Sequence, residues 1–163
     1  MNNVNIRTAR LDEYQILTDI MFASKFYWDY PEEYKTLWRE ELTITPQTLQ
    51  EQIFFVAEVE NKIAGFYSIT YNIKDYFVGK LFHPQGLWLE NMFIHPSWIR
   101  KRIGHTLMEH LLSYCRLNNI SKFCFYADPN ATGFYERYGG QLLGYYPSPI
   151  PGRDLPLYEL SVQ

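Results

Sequence analysis

Two cysteines in 163 residues are too few for a disulfide framework. Cys115 and Cys124 lack C-x-x-C spacing and read as reduced thiols in small core positions of a cytoplasmic protein. A basic excess is missing too. With 15 Lys and Arg against 18 Asp and Glu, the net charge is −3, so no nucleic-acid partner is expected through a general basic surface. No apolar run approaches the roughly 18 residues of a membrane span, so no membrane partner is expected either. The opening residues MNNVNIRTARLDEY carry acids and no hydrophobic signal core, which argues against secretion or organelle import. Without a Gly/Ser-rich linker, repeat or low-complexity tract, residues 1–163 read as a single domain. The chain is rich in core-forming residues: 47% are hydrophobic, enough to bury a core without metals. Its 4 Trp, 14 Tyr and 11 Phe exceed what a disordered chain carries and suggest a well-lined pocket or a partner surface.

Periodicity gives an order of elements. Val4–Thr8 alternates as a strand; Leu11, Tyr14, Leu17, Ile20 and Met21 then fall at helical spacing. The break Trp28-Asp29-Tyr30-Pro31 precedes a second helical stretch, and Thr45-Pro46 opens a short third. Two strand-like runs, Phe54–Glu60 and Ile63–Tyr71, suggest a hairpin turning at Asn61-Lys62. Residues 72–84 read as a loop and 86–94 as a strand. Ile103, Leu107, Leu111, Leu112 and Cys115 mark an amphipathic helix. A buried-looking strand at 122–127, a short helix at 130–138 and strands at 141–146 and 157–162 complete the chain. The result is an α/β mixed sheet with few βαβ crossovers, hence only partly parallel.

The stretch ENMFIHPSWIRKRIGHTLM, residues 90–108, carries the most chemical information. A strand leads into Arg100-Lys101-Arg102 and then Ile103-Gly104 at a helix start. Free N–H groups and the positive dipole end make such a start a place for a diphosphate, while a solvated basic turn is the alternative. Neither a Walker loop nor G-x-G-x-x-G is present. His105 and His110 lie about 140° apart around a helix, so they cannot share a metal, and no metal is expected. Glu90 sits among apolar strand neighbours, as a proton acceptor or as the partner of a nearby Arg or Lys. The aromatic and acidic run Phe22, Phe26, Tyr27, Trp28, Tyr30, Tyr34 and Trp38, with Asp29, Glu32 and Glu33, suits a cationic amine or helix packing.

Two blocks carry a family resemblance. Ile99–Gly104 aligns with [Q/R]-x-x-G-x-[G/A], with Ile99 in place of Gln or Arg and Arg102 in place of glycine. Asn130-Ala131-Thr132-Gly133-Phe134-Tyr135-Glu136-Arg137-Tyr138-Gly139 is similar to an N…A…F-Y-x-x-x-G block. Together they resemble the GNAT superfamily of acyl-CoA-dependent N-acetyltransferases.

The resemblance implies an α+β fold with a mixed, mostly antiparallel sheet of about seven strands flanked by helices. It implies acetyl-CoA as co-substrate and a small-molecule or peptide amine as acceptor, with a homodimer left open. Arg100, Lys101, Arg102, Ile103, Gly104 and His105 would hold the pyrophosphate, and the backbone of Met92, Phe93 and Ile94 the pantetheine arm and thioester. Asn130 would contact the coenzyme or cap its helix. Tyr135 would assist the departing thiolate, or only pack. Glu90, directly or through water, would take the amine proton, and Tyr27, Trp28 and Tyr30 would contact the acceptor. The rival reading is a GNAT-like module that binds acyl-CoA without turnover, as a sensor or interaction module.

Overall fold

Leu17, Ile20 and Met21 recur at helical spacing, and all three are buried on one face of helix α1 (Tyr14–Phe26). The structure is a computed structural model that describes residues 3–163, the side chains of residues 40 and 41 excepted. Strand β1 (Asn5–Thr8) and a 3₁₀ turn precede α1. Helices α2 (Glu32–Glu41) and α3 (Pro46–Glu51) and strands β2 (Ile53–Val59) and β3 (Lys62–Asn72) follow it. Then come β4 (Tyr76–Val78), β5 (Leu81–His83), β6 (Gly86–Ile94), α4 (Ile103–Leu117) and β7 (Lys122–Tyr126). Helix α5 (Thr132–Arg137) and strands β8 (Gln141–Pro147) and β9 (Asp154–Ser161) close the fold. Seven strands form one sheet in the order β1-β2-β3-β6-β7-β9-β8, with β6 and β7 parallel and the β1–β2, β2–β3, β7–β9 and β8–β9 pairs antiparallel. The expected mixed, mostly antiparallel sheet flanked by helices is what the structure has. Among the described residues, no helix is long and apolar enough to cross a membrane.

The chain divides into two compact units, one running to Ile69 and including Asn91–Leu111, the other comprising Thr70–Glu90 and Leu112–Gln163. The first has its core at Leu17, Ile20, Met21, Ile44, Phe54, Val56 and Phe66. Two polar ties hold its elements together. Thr18 Oγ1 accepts from the Ile44 N–H at 3.0 Å, fastening α1 to the segment before α3. Arg7 forks onto Glu13 at 2.9 and 2.8 Å and onto Glu58 at 2.9 Å, joining β1, the 3₁₀ turn and β2. The second unit is centred on Trp88, Cys124 and Leu157, with Phe82, Tyr126 and Tyr146 packed against them.

The structure departs from the sequence reading in four places. The β2–β3 turn is at Glu60-Asn61, one residue earlier than predicted, with φ of 51° and 64° as a two-residue primed turn requires. Residues 72–84 are not a plain loop. They carry the β4–β5 hairpin, with Tyr76 opposite His83 and Phe77 opposite Phe82. Three-residue strands are too short to show alternation, so cross-strand aromatic pairing defines this hairpin. Strand β9 begins at Asp154, because Asp154 to Pro156 pair with Pro147 to Tyr145. Finally, Asn130 does not cap α5, whose N-cap is Ala131 with no side-chain cap bond.

Candidate active site

The start of α4 is shaped by an unusual backbone. Arg100 and Arg102 have φ of 65° and 62°, the left-handed region that favours glycine. For an arginine this costs about 1–2 kcal/mol. The departure from glycine at Arg102 thus coincides with a backbone conformation that glycine favours. The Arg102 carbonyl accepts from the Thr106 N–H at 3.0 Å and the Thr106 hydroxyl at 2.9 Å, so it closes the first turn. No acid lies in that turn. Arg100, Lys101 and Arg102 are exposed, and none ion-pairs among the described residues. Lys101 and Arg102 line a groove of about 430 Å³ with Val4, Val59, Trp98, Ile103 and Thr106. Gly65 sets the floor beneath the turn: a Cβ there would lie 2.8 Å from the Phe93 carbonyl and 3.3 Å from Ile103 Cγ2. Met92, Phe93 and Ile94 are half-buried, and the β6–β7 ladder pairs only Leu87 and Trp88 of β6.

In the second unit, α5 carries Tyr135, which is 8% exposed and packs its ring 4.4 Å from Phe125. Burial, and then the charge of Asp128, raise its phenol above the usual range, so it keeps its proton at working pH. Gly140 lets the chain turn tightly behind this helix, since a Cβ there would meet the Tyr135 carbonyl at 2.9 Å. Asp128 accepts from the Asn130 N–H at 2.8 Å and from its Nδ2 at 3.1 Å, and pairs with Arg153 at 3.5 Å.

Glu90 accepts from the Thr70 hydroxyl at 3.1 Å, and Trp88 precedes it by two residues on the same face of β6. Burial raises its carboxyl above the ordinary range, and the Thr70 hydroxyl and the Trp88 side chain offset this in part. The Arg or Lys partner that a strand glutamate could have had is not found within 4.0 Å among the described residues. What remains is a half-buried carboxylate with raised basicity.

A model of the acetyltransferase (GNAT) family matches residues 16–140. The chain belongs to the GNAT acetyltransferase family. It is an acyltransferase. No curated protein matches it by sequence. Among solved structures it is similar to PaiA N-acetyltransferase from Thermoplasma acidophilum, in complex with coenzyme A. The TM-score is 0.72 and the identity 18%, over 98% of this chain and 99% of that one. A GCN5-related N-acetyltransferase from Rhodopseudomonas palustris aligns with TM-score 0.73 and 17% identity, over 99% of this chain and 96% of that one. The ribosomal-protein-S18-alanine N-acetyltransferase of Escherichia coli aligns with TM-score 0.65 and 16% identity, over 99% and 95%. At these identities the likeness concerns the fold.

On this GNAT scaffold, the residues singled out from sequence are divided between the two units. Arg100 to His105 and Met92 to Ile94 belong to the first unit; Glu90, Asn130 and Tyr135 belong to the second. Tyr27 and Trp28 are exposed, with their rings edge-on at 5.2 Å, while Tyr30 packs edge-on to Trp38 at 5.0 Å. Cations of the chain already lie over the neighbouring rings: Lys25 is 4.3 Å from Trp38, and Arg39 is 4.9 Å from Phe26. His110 is engaged by the Tyr67 hydroxyl at 2.7 Å, and no metal-holding cluster of His, Cys, Asp and Glu occurs among the described residues. Cys115 and Cys124 are buried, which pushes both thiols up to about 11. Sequence reasoning missed Gly65, Thr70 and His83. Only the glycine inside a strand was a usable signal.

Proposed function

We propose that this chain transfers an acetyl group from acetyl-CoA to a primary amine of a small molecule or peptide by direct attack, acting as a single domain. The observation that carries the reading is Glu90, a half-buried carboxylate of raised basicity without a cationic partner. An amine of pKa about 10.4 needs about 4.6 kcal/mol to shed its proton at pH 7. Glu90, directly or through an ordered water, takes that proton. The amine nitrogen then forms a bond to the thioester carbonyl carbon, the C–S bond breaks, the electron pair leaves on sulfur, and the nitrogen gives its second proton to solvent water or to the departing thiolate. Tyr135, kept protonated, stabilises the thiolate as a hydrogen-bond donor rather than by full proton transfer. Its raised phenol supports this, because handing the proton to a thiol of pKa about 8.5 is uphill.

The pyrophosphate falls to Arg100, Lys101 and Arg102 and to the N–H groups of Ile103, Gly104 and His105. A backbone N–H among Met92, Phe93 and Ile94 polarises the thioester carbonyl. Asn130 contacts the coenzyme, and Tyr27, Trp28 and Tyr30 face the acceptor. The coenzyme A in the T. acidophilum structure supports the choice of donor. The test is calorimetric titration with acetyl-CoA followed by thiol-release assays over polyamines, amino acids, aminoglycosides and peptides. Thiol release with one amine class is expected. Tight binding with no release across the panel would show a sensor instead.

A further inference from the structure

A second aromatic cluster lies in the unit formed by Thr70–Glu90 and Leu112–Gln163, which also holds Glu90. The β4–β5 hairpin builds it. Tyr76 and His83 face each other across the strands and stack at 4.9 Å. His83 also meets the Trp88 ring at 4.5 Å and the Tyr126 ring edge-on at 5.7 Å. The hairpin is tied down at its base, where Asn72 Nδ2 donates to the Pro84 carbonyl at 3.0 Å and Asp75 accepts from the Gln85 N–H at 2.7 Å. The Tyr126 hydroxyl donates to the Phe82 carbonyl.

Glu90 shares two of these neighbours. Trp88 precedes it by two residues on the same face of β6, and the charge of Glu90, after burial, raises the phenol of Tyr76. His83 contributes the decisive detail. Its Nδ1 is buried with no hydrogen-bond partner, the only such side-chain nitrogen or oxygen among the described residues. Folded proteins seldom leave a buried polar atom unpaired, so this one points to a ligand or water that completes it. Burial favours the neutral ring, which can accept at Nδ1 with its proton on Nε2.

We propose that Tyr76, His83, Trp88 and Tyr126 form, with Glu90, a wall for the acceptor, and that it selects a primary alkylamine lacking a carboxylate beside the nitrogen. As an acceptor site it rests on the acetyl-transfer reading above. An alkylammonium brings three N–H donors and a positive charge. Glu90 and His83 Nδ1 receive donors, and the ring faces attract the charge. A carboxylate on the adjacent carbon would face Glu90, which no Lys or Arg offsets among the described residues. The hairpin's own cations, Lys74 and Lys80, are exposed and do not pair with it.

Pentylamine and norleucine share a carbon chain and differ by that carboxylate. Calorimetry on the full chain with coenzyme A present should show pentylamine binding at least tenfold more tightly. His83→Phe keeps a ring and removes the acceptor, and should weaken pentylamine binding at least tenfold. His83→Asn, which returns an acceptor near the Nδ1 position, should recover most of it, with coenzyme A affinity as the check on folding. Equal affinity for the two ligands in the wild-type chain overturns the wall, and so does wild-type pentylamine affinity in a folded His83→Phe. Thiol release is read separately. Selective pentylamine binding without release supports the wall and sinks acetyl transfer to this amine; release with an unchanged pentylamine KM in His83→Phe sinks the wall and leaves acetyl transfer standing.

Discussion

The Thr70 hydroxyl donates to Glu90 Oε1 at 3.1 Å, and this bond meets a carboxylate that burial has made more basic. Because the folded-state pKa of Glu90 is raised, its ionisation weakens the fold. That loss sets in as pH rises from the ordinary carboxylate range through the folded value. Glu90→Gln should therefore melt no lower than the parent at pH 7. If Glu90 takes the ammonium proton, the variant's rate should fall most near neutrality and recover in part by about pH 9 to 10, where solution supplies neutral amine. Parallel pH–rate profiles with a lowered melting point would remove Glu90 from the mechanism.

Tyr135→Phe removes one hydroxyl and keeps the ring that packs 4.4 Å from Phe125. Turnover should drop about ten- to a thousandfold, the range for a single proton or hydrogen-bond donor. Acetyl-CoA affinity and melting temperature should stay near the parent values. Unchanged turnover would leave Tyr135 a packing residue only.

Reversing charge at Arg100 and Arg102 together should weaken coenzyme A binding more than tenfold, and the parent should show the steeper salt dependence. Arg102→Gly separates charge from conformation. It relieves the left-handed strain at φ 62° while giving the unfolded chain more freedom. Its net stability change should lie between zero and about 1 kcal/mol in favour of folding. Coenzyme A affinity indifferent to both changes would place the pyrophosphate elsewhere.

Gly65→Ala puts a methyl group 2.8 Å from the Phe93 carbonyl oxygen, a backbone atom that cannot swing aside. A loss of about 1–3 kcal/mol in chemical denaturation is expected. Ile94 Cδ1 follows at 2.9 Å and Ile103 Cγ2 at 3.3 Å, so the end of β6 and the start of α4 should shift and coenzyme A affinity should fall with them. Parent-like stability and affinity would show that the strand yields without cost.

Glu13 behaves oppositely to Glu90. Its hydrogen bonds from Arg7 hold the carboxyl below the ordinary range despite the opposing effect of burial. A lowered folded-state value contributes stability above the ordinary carboxylate range and loses it as pH falls through the folded one. Glu13→Gln should cost about 1–3 kcal/mol at pH 7, with the gap to the parent narrowing in acid. A gap independent of pH would mean that the loss is packing alone.

Local chemistry settled much of this protein before any fold was known. The apolar spacing of Leu17, Ile20 and Met21 marks a buried helical face, because a helix returns the same side every three or four residues. The basic run before Ile103 precedes a helix start, and a helix start leaves its first N–H groups without partners inside the helix. The [Q/R]-x-x-G-x-[G/A] and N…A…F-Y blocks sufficed to point to the family. Other features depend on residues far apart in the chain and left no local period. Arg7 meets Glu58 across 51 positions, and Tyr67 meets His110 across 43. The β4–β5 strands are too short to alternate; their pairing sets Tyr76 against His83, whose ring packs on Trp88 and Tyr126. Whether Glu90 was one half of an ion pair or a lone carboxylate depended on what the fold put around it. Tertiary packing set the Thr70 hydroxyl against it rather than a cation, because burial is a property of the assembled sheet and not of the strand's own sequence.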